Sequence, residues 1–320
     1  MREAVAIGML ERVLHLKRVP VFANLGSVEL AALAQNTRER QFARGEALLR
    51  EGEASVTIHF IVDGRVRMRR RGVDQGIAGP GAPVGGLGVL GRDEEGLDAV
   101  AETDTLVLSL ERDAFVEVCE DHFALVHGVM AYLCAWFVDF QKKTWPLVAP
   151  HAPPPLDDPA AEPPGGLDLV ERIFLLRRMP PFLGASINAL AELSRSLTEV
   201  RLDSAVTLWH EGEPAHYVLL LVSGIVQCEI GGHPRGVRVG RGMALGPAEA
   251  IAERPRWYRA VTETPVVALQ SPVEAVVDVF EDNFDMAMNY LTFLARLVIS
   301  QMDRIGARST LPDLLGLETT

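Results

Sequence analysis

Two segments of this chain carry the residue types needed to hold an anion. In residues 242–264, GMALGPAEAIAERPRWYRAVTET, glycines precede a short alanine-rich run, and Arg254, Arg256 and Arg259 flank Trp257 and Tyr258. The segment reads as a short phosphate-cradling turn followed by a strand. Glycines let backbone N–H groups approach an anion closely, and a guanidinium forks onto two of its oxygens. Residues 81–103, GAPVGGLGVLGRDEEGLDAVAET, stand at the corresponding place in the first half. Blander readings fit the same residues: Gly79, Gly81, Gly85, Gly86, Gly88 and Gly91 suit tight turns at a barrel corner, and the three arginines suit a solvated face beside an apolar corner.

The two segments correspond because the chain is duplicated. Leu16 to Phe22 (LKRVPVF) answers to Leu176 to Phe182 (LRRMPPF) at an offset of 160 residues. Glu51-Gly52-Glu53 answers to Glu211-Gly212-Glu213, and Val62-Asp63-Gly64 to Val222-Ser223-Gly224, at that same offset. Glu120-Asp121-His122-Phe123 matches Glu281-Asp282-Asn283-Phe284 at 161. Two copies are too few for a solenoid, so the pattern is a domain duplication. A length of 320 residues agrees, since single cores rarely grow that large.

Each copy begins with a helix whose apolar residues fall at helical spacing, Val28, Leu30 and Leu33 in the first and Ile187, Leu190 and Leu193 in the second. Short apolar strands separated by glycine turns follow, ending in Thr105 to Leu110 and Val266 to Leu269, and each copy closes in helices. The order predicts a β-barrel or jelly roll with flanking helices. Residues 146–166 are too rich in proline for a helix or a sheet strand and read as an extended linker. The expected domains are therefore 1–145 and 167–308, joined by 146–166 and followed by a tail, 309–320.

The order of markers resembles the cyclic-nucleotide-binding domain family, shared by catabolite-activator-type regulators and the regulatory subunits of cyclic-nucleotide-dependent kinases. The resemblance rests on Leu16 to Phe22, on Gly45 to Glu53 (GEALLREGE) and on Ile61-Val62-Asp63-Gly64 in the first copy. Leu208 to Glu213 and Leu221-Val222-Ser223-Gly224 carry it in the second. It implies a mainly β fold with flanking helices, two jelly-roll cyclic-nucleotide-binding-like domains in tandem. It also implies a phosphate cassette of the form Phe-Gly-Glu-Leu, followed by an Arg six residues ahead of the closing Ala-x-Thr. In the family the Arg takes the phosphate and the Glu the ribose hydroxyl.

Both cassettes depart from that form. In the first, Val84-Gly85-Gly86-Leu87 puts Gly86 in the Glu position, and counting back from Ala101 places Glu95 where the Arg belongs. A carboxylate there replaces a charge-assisted pair with like-charge repulsion. Gly85, Gly86 and Arg92 are the remaining candidates, with Arg92 a substitute cation only if the loop is rebuilt. In the second, Leu245-Gly246-Pro247-Ala248 puts Pro247, which has no N–H to donate, in the Glu position, while Arg256 keeps the Arg position. Gly246, Ala248, Glu249 and Arg256 are the candidate ligand residues there, Glu249 reaching a ribose only if the cassette is shifted.

The remaining features exclude more than they suggest. The net charge of −12 opposes a phosphate-backbone binder, and residues 304–320 are too few for the DNA-binding domain that follows the long helix in the family's regulators. Cys119, Cys134 and Cys228 are isolated, which fits a reducing compartment. The histidines show no metal-ligand spacing, and no nucleophile motif is present. Residues 124–140 are apolar but contain His127 and Asp139 and fall short of a bilayer span. Arg65, Arg67 and Arg69 share one face of a strand, with Arg70 and Arg71 after them, and a solvated outer face is expected. Residues 123–140 and 284–302 carry more large apolar side chains than one small barrel can cover, which predicts helix-mediated contacts within the chain or between chains. The expectation is a cytoplasmic, non-enzymatic regulatory adaptor that binds another protein, self-associates through its terminal helices, and neither binds nucleic acid nor inserts into a membrane. The alternative is a sensor that takes a cyclic or other nucleotide in the second domain through Arg256, with no other cofactor.

Overall fold

The structure, a computed structural model, describes residues 7–144, 166–231 and 236–306. The linker residues 146–165 and the tail 309–320 lie outside the described residues, as does Trp145. Helices Met9–Lys17 (α1) and Ser27–Asn36 (α2) lead into strands Arg38–Phe42 (β1), Ala47–Leu49 (β2), Thr57–Asp63 (β3), Val66–Arg70 (β4), Val73–Ala78 (β5) and Pro83–Val84 (β6). The short helix Gly86–Gly91 (α3) precedes strands Asp98–Ala101 (β7) and Thr105–Glu111 (β8), and helices Arg112–Asp121 (α4) and Phe123–Thr144 (α5) complete the first copy.

The second copy repeats this order. Helices Leu169–Arg178 (α6) and Ile187–Ser196 (α7) precede strands Thr198–Leu202 (β9), Thr207–Trp209 (β10), Tyr217–Ser223 (β11), Val226–Glu229 (β12), Val237–Val239 (β13) and Ala244–Leu245 (β14). Helix Pro247–Ile251 (α8), strands Arg259–Thr262 (β15) and Val266–Pro272 (β16), and helices Val273–Asp282 (α9) and Phe284–Gly306 (α10) follow.

Among the described residues every strand pairing is antiparallel, and each copy forms two four-stranded sheets. The orders are β1-β8-β3-β6 and β2-β7-β4-β5 in the first, and β9-β16-β11-β14 and β10-β15-β12-β13 in the second. Even the irregularities coincide, since the register shifts between Ile61 and Asp63 and again between Leu221 and Ser223. Both shifts lie just before the glycines that end the matched Val-x-Gly turns. The jelly-roll architecture expected from glycine-punctuated short strands is thus present twice.

The interiors differ in bulk. In the first copy Phe42, Leu48, Ile61, Val66, Ala78, Val84, Ala99, Ala101 and Val107 fill the space between the sheets, with Leu49 and Leu97 at the edge. The second replaces Leu49 by the buried Trp209 and Leu97 by the buried Tyr258, packed with Leu219, Leu221, Val226 and Cys228. Trp209 also meets Tyr217 edge-on with centroids 5.9 Å apart, and Tyr217 stands where the first copy has Thr57.

The compact units do not follow the repeat boundaries. Unit 1 comprises residues 1–129 and 291–320, and unit 2 residues 130–290, so the division falls inside each long helix at equivalent positions, after Val129 and after Tyr290. Unit 1 is therefore completed by residues 291–306 of α10, and unit 2 by residues 130–144 of α5. Helix α5 is long and apolar enough to cross a membrane by length and composition alone. In the fold its Leu125, Val126, Met130 and Cys134 side chains are fully buried.

Candidate functional site

The second cassette is built around Arg256. Leu245 ends β14, and Gly246 turns into α8 with φ +80°, in the left-handed region. Beneath this turn the guanidinium of Arg256 donates from Nη1 to the Gly246 carbonyl at 3.0 Å and from Nη2 to the Tyr217 carbonyl at 2.6 Å. A Cβ on Gly246 would collide with Nη1, so the glycine is required both by the backbone and by the arginine above which it turns. The backbone of Arg256 is fixed as well, its N–H donating to the Glu213 carbonyl at 2.8 Å and its carbonyl accepting from Gly212 at 2.7 Å. Its Cζ lies 4.1 Å from the Trp209 ring centroid and 5.1 Å from that of Tyr217, which is cation–π geometry. Only 1% of Arg256 is exposed. The fork that the family directs at a phosphate here grips two backbone carbonyls under a roof of aromatic rings.

The other candidates of this cassette are placed by the same short helix. Pro247 occupies its first turn, where a missing N–H costs nothing. Ala248 is half-buried, and its carbonyl accepts from Ala252 at 3.1 Å. Glu249 is 3% exposed and points into the unit. Burial pushes its carboxyl pKa above the usual range, opposed by its own backbone N–H, by Arg256, by a hydrogen bond with Trp257 and by Lys142. Its charge in turn adds to the burial that raises the Cys134 and Cys228 thiols.

The first cassette repeats the backbone and inverts the charge. Gly85 turns into α3 with φ +87°, where a Cβ would stand 2.9 Å from both Leu49 Cδ1 and the Thr57 carbonyl. Gly86 begins the helix, and Arg92 caps its end at φ +52°, its N–H donating to the Gly88 carbonyl and its side chain on the exposed surface. The carbonyl of Glu95 accepts from Gly52 at 2.7 Å, the bond that Gly212 makes to Arg256 in the second copy. Counting back from the closing strand therefore places Glu95 and Arg256 at the same point of the fold. The Glu95 carboxylate accepts from Arg71 Nε at 2.8 Å and is half-exposed.

Arg70 sits beside it at the end of β4, and the solvated face expected for the arginine run does not extend to it. Its side chain is buried because it is paired on several sides. Nη1 donates to the Asp93 carboxylate and, at 2.6 Å, to the Gly96 carbonyl, while Nε donates to Asp303 Oδ1 at 2.7 Å. Burial opposes the charge on Arg70, but the bonds to Asp303 and Asp93 outweigh it and hold its pKa above the ordinary arginine value. Arg67, by contrast, stays at the surface and pairs across the sheet with Glu102 and Asp74.

At matched positions the cassettes carry opposite signs: Asp93 against Arg254, Glu95 against Arg256, and Asp303 on α10 against Lys142 on α5. Arg70 answers to Ile230. Trp209, Tyr217 and Arg70 were not among the candidate ligand residues, although Trp209 lies within the Leu208 to Glu213 marker and Arg70 within the arginine run. Comparison of the copies at their fixed offset was the available signal, because each differs in size or charge from its counterpart.

The family described as Cyclic nucleotide-binding domain matches residues 39–122. A protein from Rhodopseudomonas palustris named as a potassium channel protein is 35% identical over 96 residues, 28% of this chain and 23% of its own length. The chain thus spans less than a quarter of that relative. Among solved structures, the regulatory subunit of a cAMP-independent protein kinase A from Trypanosoma brucei aligns over 94% of this chain and 91% of its own, at 14% identity and a TM-score of 0.33. The sensor domain of the transcriptional regulator DNR from Pseudomonas aeruginosa aligns over 45% of this chain and 97% of its own, at 24% identity and a TM-score of 0.38. Residues 39–122 of the first copy match that family, and the second copy repeats the strand order of the first.

Proposed function

We propose that this tandem of cyclic-nucleotide-binding-like domains is a cytoplasmic, non-enzymatic regulatory adaptor that works through contacts with another protein. The observation that carries the reading is the state of the two anion positions. Arg256 spends its fork on the Gly246 and Tyr217 carbonyls beneath Trp209, and Glu95 presents a carboxylate that is held by Arg71. A phosphate at the second position must displace two buried hydrogen bonds, and at the first it meets like charge. Calorimetry with cyclic AMP and cyclic GMP tests this, with no saturable heat expected. Stoichiometric micromolar binding that Arg256→Ala abolishes would falsify the adaptor reading.

A second reading, a nucleotide sensor in domain 2, has one observation in its favour. Arg256 Nε and Trp209 Nε1 are buried donors with no acceptor among the described residues, and such donors are costly unless something satisfies them. Candidate ligand contacts would then come from Arg256, Gly246, Ala248 and Glu249. A thermal-shift screen over mono- and dinucleotides decides it: stabilisation that Arg256→Lys removes supports the sensor, and a flat screen counts against it.

A further inference from the structure

Among the described residues ten large apolar side chains are exposed, and nine of them lie in the two entry segments, residues 9–28 and 169–187. Three pairs stand at matched positions, Met9 with Leu169, Leu10 with Val170 and Leu14 with Phe174. The cassettes exchanged charge between the copies, whereas these outward positions are apolar in both. None of the ten lies on α5 or α10, so the self-association expected of the terminal helices finds no exposed large apolar side chain there. The entry helices carry that surface instead, and α6 carries the larger share of it, with an aromatic ring at its centre.

Helix α6 is held rigidly by its inner side. Leu175 and Leu176 are buried, and Asp168 and Glu171 close a capping box at its start. Arg172 donates from Nε to the Leu167 carbonyl at 3.0 Å and from Nη1 to the Leu197 carbonyl at 2.6 Å, tying the helix to the end of α7. The outer face is thus presented ready-made. At about 100° per residue, Val170, Glu171, Arg177 and Arg178 all fall within about 60° of Phe174, which is 60% exposed. Both arginines are exposed and have no ion-pair partner among the described residues. This face is complementary to itself. A second α6 laid antiparallel across it, about a two-fold axis beside Phe174, brings the two aromatic rings together and sets Glu171 opposite the partner's Arg178 at both ends. A parallel pairing would instead set acid beside acid and base beside base. Helix α1 repeats the arrangement with Glu11, Leu14, Lys17 and Arg18, but leucine for phenylalanine and lysine for arginine make it the weaker seat.

We propose that the outer face of α6 is the self-association surface of this chain, and that its occupant is α6 of a second copy, antiparallel about Phe174. A basic pair alone would suit any acidic partner; an acid one turn before the aromatic ring and bases one turn after it select the same helix turned end for end. The inference goes beyond the adaptor reading, because the dimer forms with or without a nucleotide at Arg256. One helix face per protomer lies at the small end of protein interfaces, so the dimer is reversible at about micromolar concentration.

Sedimentation velocity of the full chain from about 1 to 100 μM tests this, with a reversible dimer expected. Phe174→Asp should raise the dissociation constant of the dimer at least about tenfold. Arg178→Glu, which sets a carboxylate against the partner's Glu171, should weaken the dimer about tenfold as well, and Glu171→Arg added to it should restore the affinity. Leu14→Asp, the matched change on α1, should leave the constant within about threefold of the unaltered chain. A monomer over the whole range, a dimer indifferent to Phe174→Asp, or a charge reversal that fails to rescue overturns the proposal. Other occupants would show themselves in the same series. Dimerisation only after removal of residues 309–320 would assign the face to that segment, and a monomer that binds vesicles of anionic lipid unless it carries Phe174→Asp would assign it to a lipid surface; either result overturns the dimer.

Discussion

Arg256 and Glu95 occupy one point of a repeated fold with opposite charge, and the structure resolves each by different means. In the second cassette the cation is buried, gripping backbone carbonyls beneath Trp209. In the first the anion stays half-exposed, and the buried charge is Arg70, brought in from the end of β4. A carboxylate can be left near water at little cost, whereas a guanidinium already inside the barrel must find acceptors in the protein. The difference teaches that the same backbone supports either sign, provided that the buried guanidinium finds acceptors, backbone carbonyls for Arg256 and carboxylates for Arg70.

The largest expected effect on this comparison is Arg256→Ala. It orphans two buried carbonyls and unroofs Trp209, and should cost about 4 kcal/mol in urea denaturation. A loss below about 1 kcal/mol would show that Arg256 is not structural and would return it to the ligand candidates.

Acid should separate the units next. His59 is buried against Ser109, and burial, reinforced by Arg40 and partly offset by a hydrogen bond with the Leu48 backbone, pulls its pKa down to about 4. Above its ordinary pKa of about 6.5 the ring is neutral folded or unfolded, so stability there is unaffected. As pH falls from 6.5 toward 4, the unfolded chain takes up a proton that the folded ring refuses, and stability declines by up to about 3 kcal/mol across that window. Leu219 holds the matched position in the second copy. Amide exchange at pH 5 should therefore rise in unit 1 first, and His59→Leu should remove the difference; equal acid response of both units would refute it.

Smaller still is Trp209→Leu, which gives the second copy the first copy's residue. It should cost about 2 kcal/mol of stability through the cavity and the lost stacking on Arg256. No change would mean that the aromatic roof is incidental. The smallest effect belongs to Glu95→Ala, where removing a half-exposed ion pair should change stability by less than about 1 kcal/mol. A larger loss would mean that Glu95 shares in the buried cluster around Arg70.

Much of this was legible before the fold was seen, because duplication converts one sequence into an alignment of two. The offset placed the strands, the Val-x-Gly turns and the cassettes, and counting alone put Glu95 and Arg256 at one position. What it missed has a common cause. Arg70 reads as one more cation in a run of surface arginines, and its burial rests on Asp93, 23 residues away, together with Asp303, 233 residues away. The apolar excess of residues 123–140 and 284–302 signalled that the long helices need partners, but nothing local says that each divides between units after Val129 and Tyr290. Trp209 was visible only as one residue of the Leu208 to Glu213 marker. Its role depends on a guanidinium 47 positions later, a distance at which pattern reading has no purchase.

The bond from Arg256 to the Gly246 carbonyl has a consequence for the history of such a protein. Under the adaptor reading proposed above, a side chain that rivets the fold is preserved by selection for stability whether or not anything is bound, and its persistence is no record of use. Freeing that arginine for a phosphate would first break the two bonds that fasten the turn, so a change to sensing would need several substitutions to arrive together.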